Sequence, residues 1–416
     1  MSIFYLFKSL EPAKRKNLLI LFAAAFFFWV SIACLLPILP TYITSLDGTT
    51  QQVGQVMGCF AIGLLLARTW MGQIADRKSR KIVVLIGTAV AAIAPIGYLL
   101  LASIPGLMVV RAFHGISIAA FTVGYSSLVV DLSPVRQRGE LIGYMGLAVP
   151  VGLGVGPAIG GLLLELAGYT PIFVISASSG CLSLILATSI ENTNTHSIRS
   201  QKKEDLSLPN RTFLELIISR SLIIPTVVLS LIGLLFGSLV AFLPLYVKDL
   251  NIDFNVGLFY TVVAIASFSI RIFIGKASDG NGRGVFITAS LACYLISMAL
   301  LSIANSPSIF FLIAIAEGSG RGLLVPMMLA LISDRSYANE RGKVFALCLG
   351  GFDVGIALAG PIFGSFVEII GYQGLFSLAI LLAILALFIF ITQSSKNIIH
   401  SLRFAFGREK DFYLLD

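Results

Sequence analysis

The sequence predicts an all-α integral membrane protein, with twelve transmembrane helices in two pseudo-symmetric six-helix bundles. Three observations carry that prediction. Of the 416 residues, 57% are hydrophobic and 12% charged, about half the charged share of an ordinary soluble domain. The apolar residues come in continuous runs of bilayer length rather than at the spacing of an amphipathic surface helix. The first half of the chain also recurs in the second at a nearly constant offset.

The elements follow in order. A short lead, "MSIFYLFKSLEPAKRKN", sets Lys14, Arg15 and Lys16 before the first apolar run and shows no small-residue cleavage site, so no cleavable signal peptide is expected. Apolar runs then place spans at 18–42, 53–73, 82–103, 106–130, 141–164 and 171–190. Residues 191–221, with "ENTNTHSIRSQKKED", are the only long polar interval between spans and read as a linker. Six more spans follow at 222–246, 256–276, 285–304, 307–331, 344–367 and 373–392, and then a tail. The expected organisation is a half at 1–190, a linker at 191–221, a half at 222–392 and a tail at 393–416.

The net charge of +8 is a matter of topology before partners. Twenty-four of the 29 Lys and Arg fall on one side of the predicted spans, and such bias sets orientation, so both termini are expected in the cytoplasm. Nucleic acid is not an expected partner. Cys34, Cys59, Cys181, Cys293 and Cys348 all lie in apolar spans and read as packing residues. His114, His196 and His400 are too scattered for a metal cluster. Neither metal nor cofactor is expected.

The internal repeat is specific. Arg68 recurs as Arg271, Gly72 as Gly275, Asp76 as Asp279, Asp131 as Asp334, Arg138-Gly139 as Arg341-Gly342, and Gly168-Tyr169 as Gly371-Tyr372, each pair 203 residues apart. Pro40 in "LPTY" and Pro244 in "LPLY" are 204 apart. Six spans per half leave both halves in the same orientation. Parallel halves of this kind build secondary transporters that bind substrate near mid-membrane.

With these motifs in place, the chain resembles the major facilitator superfamily over essentially its full length. "MGQIADRKSRK", Met71 to Lys81, is similar to the family's loop 2–3 signature, with Ser79 where the pattern usually has Gly. "RAFHG", Arg111 to Gly115, resembles its span 4 motif, with His114 in place of the common Gln. "GLGVGPAIGG", Gly152 to Gly161, resembles the span 5 motif typical of drug–proton antiporters. The resemblance implies a proton-coupling role for Arg111. It also implies a cytoplasmic latch of Gly72, Asp76, Arg77, Arg80 and Asp131, with a sparser copy at Gly275, Asp279, Arg283 and Asp334. In that latch Asp76 would meet the N-terminus of span 11, and Arg77 or Arg80 would meet Asp131.

Gly152, Gly156 and Gly160 form one bare helical stripe, which lets helices approach closely. Gly161, Gly360 and the helix-bending Pro157 and Pro361 extend the motif. Beyond ordinary packing, matched stripes in corresponding spans favour an interface between halves. Ionisable groups inside a membrane are functional candidates, and the repeat sorts them. Arg68 and Arg271 recur near helix ends, where snorkelling suffices, so they read as structural. Arg111, Arg321 and Asp353 occur in one half only, and His114 is matched by Glu317. Glu317 and Arg321 can face each other across one turn. They read either as a neutralised structural pair or, with Asp353, Arg111 and His114, as a proton-coupling network. Trp29, Phe121, Tyr125 and Phe242 are candidate cavity residues, with packing as the alternative.

The function expected is secondary active transport by alternating access, as proton-coupled efflux of a small amphipathic compound. Protons, that compound and the lipid bilayer are the expected partners, and a monomer in the cell membrane the expected form. A transporter of a sugar, glycoside or other polar metabolite is one alternative. A non-transporting membrane sensor is another. No nucleophile–base arrangement points to an enzyme.

Overall fold

A computed structural model describes residues 10–134, 137–191, 211–274, 282–337 and 340–415. Gly275 and Asp279 of the predicted latch lie outside them. Among the described residues no strand is present. The helices are α1 (Pro12–Ala33), α2 (Leu39–Ser45), α3 (Thr50–Arg77), α4 (Arg80–Leu100), α5 (Ile104–Leu132), α6 (Arg138–Met145), α7 (Ala148–Ala167) and α8 (Tyr169–Thr188). The second set is α9 (Phe213–Ile218), α10 (Arg220–Asp249), α11 (Val256–Ile274), α12 (Arg283–Ser302), α13 (Pro307–Asp334), α14 (Arg341–Gln393) and α15 (Ile398–Ala405).

Among the described residues, ten segments, counting α6 with α7, are long and apolar enough to cross a membrane. The longest, α14, covers both of the last two predicted spans and is interrupted at Gly371, whose φ is 70° and ψ 177°. The predicted eighth span is the shorter α11. Large side chains such as Leu66, Trp70, Leu166 and Leu381 face outward along these helices, an exposure that lipid solvates and water does not.

Several predicted boundaries change for local reasons. Span 18–42 divides into α1 and α2 around Cys34–Ile38, where Pro37 and Pro40 remove backbone donors. Span 141–164 divides into α6 and α7 at Gly146-Leu147. The predicted turn at Met71–Lys81 is helical through Arg77 and shrinks to Lys78 and Ser79. The tail carries a helix, α15, that apolar run length does not signal.

The chain divides into two compact units. One comprises Met1–Gly48, Cys59–Lys202 and Asn255–Thr261, the other Thr49–Gly58, Lys203–Phe254 and Val262–Asp416. In the first, α1 packs on α7 and α8, and α4 on α5 and α8. In the second, α10 packs on α14, and α12 on α13 and α14.

The sequence repeat is realised as repeated contacts. The Tyr42 hydroxyl donates to the Tyr98 carbonyl at 3.0 Å, and the Tyr246 hydroxyl to the Leu301 carbonyl at 3.1 Å. Arg80 pairs with Asp131, and Arg283 with Asp334 at 3.4 Å. Gly168, with φ 74°, divides α7 from α8 as Gly371 divides α14. Both glycines hold a backbone conformation essentially closed to other residues.

Candidate functional site

Close helix crossings position the candidate residues. A Cβ on Gly115 of α5 would stand 1.9 Å from the Phe60 carbonyl oxygen, and one on Gly63 of α3 1.8 Å from that of Ala112. Only bare glycines permit this approach. It sets the Phe60 ring beneath Arg111, whose guanidinium carbon lies 4.4 Å from the ring centroid. The same ring meets His114 edge-on, with centroids 5.6 Å apart. His114 Nδ1 is 3.0 Å from the Tyr98 hydroxyl, and Arg111 stands close to the same tyrosine. Arg111 and His114 are both buried. His114 Nε2 has no hydrogen-bond partner among the described residues, so a ligand or water can complete it.

The second unit repeats the crossing with different side chains. A Cβ on Gly318 of α13 would stand 2.4 Å from the Val263 carbonyl oxygen. Gly318 and Val263 are the repeat counterparts of Gly115 and Phe60. Val263 offers no ring, and the second unit's arginine uses another one: Arg321 lies 4.4 Å from the centroid of Phe236, on α10. Arg321 donates to Glu317 Oε1 at 2.7 Å and stands close to Tyr294. Glu317 is 1% exposed, and its Oε2 has no hydrogen-bond partner among the described residues. Asp353 is buried on α14, between Gly351 and Gly355, where α14 touches Thr226 and Ser230 of α10.

Each unit thus holds an arginine over a phenylalanine ring, beside a tyrosine, with buried hydrogen-bonding atoms left open among the described residues: Arg111 Nε and His114 Nε2 in one, Glu317 Oε2 in the other. The cation–π contacts keep each guanidinium in place without neutralising it. An open imidazole nitrogen on one side and an open carboxylate oxygen on the other offer different chemistry, as the repeat-breaking residues foretell. Phe60, Tyr98, Phe236 and Tyr294 escape sequence reasoning because each aromatic is indistinguishable from its many neighbours until a crossing brings it to an arginine.

The other candidates are placed as follows. Arg80, rather than Arg77, meets Asp131, and its Nη1 also donates to the Ser127 carbonyl at 3.1 Å. Asp76 and Arg77 are exposed on the last turn of α3 and form no ion pair among the described residues. Gly72 has no atom within 4 Å of a would-be Cβ. The stripe of Gly152, Gly156 and Gly160, expected at an interface between halves, lies against Trp29, Val30 and Ala33 of α1 and Cys34 just beyond it. Four-residue spacing shows that a helix packs there but not which one. Gly161 and the Pro157 carbonyl meet Asn255 and Gly257, and Gly360 meets Gly54, with Pro361 beside Gly58. Phe121 and Phe242 are fully buried. Phe121 stacks on Phe28 at 3.8 Å and on Tyr125 at 5.3 Å. These two read as core in this structure, correcting their expected place on a cavity wall. Trp29 and Tyr125 are partly exposed, and the Tyr125 hydroxyl donates to the Met145 carbonyl at 2.7 Å.

The Major Facilitator Superfamily model matches residues 21–303 and 256–400. The chain belongs to the major facilitator superfamily. It is 24% identical over 386 residues to an uncharacterized MFS-type transporter of Methanocaldococcus jannaschii, covering 89% of this chain and 96% of that one. It is 26% identical over 365 residues to the multidrug resistance protein MdtG of Enterobacter lignolyticus (85% and 86% covered). It is likewise 26% identical over 372 residues to the quinolone resistance protein NorA of Staphylococcus aureus (85% and 92%). Among solved structures, a mutant of the nucleoside transporter NupG aligns with a TM-score of 0.74 at 14% identity, covering 89% of this chain and 98% of that one. A POT family transporter bound to a thioalcohol-conjugated peptide aligns at 0.74 and 15% identity, covering 89% and 94%. The protein is a multi-pass membrane transporter of this superfamily.

Proposed function

We propose that the protein exports a small amphipathic compound in exchange for protons, by alternating access, with both termini in the cytoplasm. One observation supports this most: Glu317 is buried, ion-paired to Arg321 through one oxygen, and open at the other. A carboxylate in low dielectric is held charged by a neighbouring cation and becomes neutral when that cation turns elsewhere. Such a group takes up and releases protons as its surroundings alternate. Asp353 is the second proton site, and Arg111, Arg321 and His114 tune the pair. The resistance proteins among the relatives support drug-like cargo.

The test uses proteoliposomes carrying a pH gradient. Asp353→Asn is expected to abolish gradient-driven transport while substrate still binds and exchanges. Driven transport at the wild-type rate in that variant overturns the proposal. Competition by hydrophobic cations, and not by sugars, is the expected pattern for cargo.

A further inference from the structure

Helix α15 follows the last span after only Ser394–Asn397, and its residues divide into two arcs. Ser401, Phe404 and Ala405 are buried. The Phe404 carbonyl oxygen lies 2.2 Å from where a Cβ on Gly284 would stand, and Thr288 Oγ1 donates to the Ala405 carbonyl at 3.0 Å. Thr288 belongs to the second turn of the span α12, so α15 sits level with the span's end rather than beyond it. Ile398, Ile399 and Leu402, with Phe406 at the C-cap, occupy the other arc and are 60%, 62%, 39% and 57% exposed. At 3.6 residues per turn they share roughly 100° of the helix.

This outward arc is rigidly held. Arg335, wholly buried, donates to both Asp411 oxygens at 2.7 and 2.9 Å and to the carbonyls of Ser221 and Ser394 at 2.9 and 2.8 Å. Its guanidinium also lies 5.8 Å from the Phe404 ring and 5.1 Å from that of Tyr413. The Leu415 N–H donates to the Asp334 carbonyl at 2.9 Å. The tail is thereby fastened to the ends of α10, α13 and α14. Lys396, Arg403, Arg408 and Lys410, all exposed, flank the apolar residues in sequence. Arg403 and Arg408, with Leu402 and Phe406, line a hollow. Glu409 is the acidic neighbour, and it is paired to His400 at 2.6 Å.

Four large apolar side chains on a fixed helix, level with a span end and bordered by cations, match the boundary between acyl chains and anionic headgroups. We propose that α15 is an interfacial helix whose apolar arc enters the adjacent leaflet, with Arg403 and Arg408 holding the phosphate of an anionic phospholipid in the hollow.

The test uses the full-length chain with its native cysteines replaced and the fluorophore NBD attached through Leu402→Cys. The labelled protein is placed in nanodiscs of phosphatidylcholine alone or mixed with phosphatidylglycerol. NBD emission is expected to be blue-shifted and quenched by brominated acyl chains. The protein should retain phosphatidylglycerol preferentially, and Arg403→Glu with Arg408→Glu should weaken that preference about fivefold per charge. Arg403→Gln with Arg408→Gln, milder and equally exposed, gives the same reading at about half the charge change if the reversal fails to fold. Water-like emission in both lipids would place the arc in solvent and overturn the proposal. A blue shift without bromolipid quenching means that a second copy or another protein covers the arc, which also overturns it. Equal retention of both lipids, unmoved by either variant pair, overturns the anionic site.

Discussion

At the scale of single residues, glycine carries much of the architecture, in two separable ways. Gly168 and Gly371 divide paired helices with φ of 74° and 70°, and neither has an atom within 4 Å of a would-be Cβ. Their constraint is therefore torsional. Gly168→Ala or Gly371→Ala should cost about 1–3 kcal/mol, read as a lower melting temperature in detergent. Gly72, helical and equally uncrowded, is the contrast: Gly72→Ala should leave melting within about 0.5 kcal/mol of wild type, so a transport defect there would report on motion rather than folding. The sequence repeat flagged all three positions. It did not separate the strained pair from the unstrained one, because identity at an offset shows that a role recurs and not which backbone angle it serves.

At the scale of elements, the regular spans were legible from run length, whereas their breaks and ties were set by pairs distant in sequence. One such tie joins the chain before α9 to the start of α14. Arg211 Nε lies 3.1 Å from both Glu340 oxygens, and the Tyr337 N–H donates to Glu340 at 3.2 Å. Burial opposes charge on Glu340, but the Arg211 and Tyr337 hydrogen bonds and the Arg211 charge outweigh it and leave the carboxyl below its usual range. Because the folded value is lower than the unfolded one, this contribution is complete above the unfolded value, near pH 4.3. It is lost as pH falls through the folded value. Glu340→Gln should cost on the order of 2 kcal/mol at neutral pH. The gap to wild type should close in acid below about pH 4, as followed by unfolding at a series of pH values. A gap that stays constant with pH would show that the carboxylate's charge is not what ties the two segments.

At the scale of the whole molecule, we propose that the exposed Asp76 governs exchange between conformers, the role that its place in the Met71–Lys81 signature implies. Asp76→Asn should slow transport severalfold while ligand affinity, measured by thermal shift, stays unchanged; altered affinity would place Asp76 at the ligand instead. By itself the sequence determined membrane residence, helical class and internal repeat, because each follows from composition or from identities at a fixed offset, and its motifs at Met71–Lys81, Arg111–Gly115 and Gly152–Gly161 carried the family resemblance. It also singled out Arg111, His114, Glu317, Arg321 and Asp353, because a charge in a span is costly wherever it lies. Only the tertiary structure decided their partners: Phe60 and Tyr98 for Arg111, Phe236 and Tyr294 for Arg321, and Arg80 for Asp131. It likewise set the glycine stripe on α1 and docked the tail through Arg335 and Asp411. The physical reason is that such contacts depend on how closely two helices cross and which side chain then stands opposite, and a run of apolar residues carries no record of either.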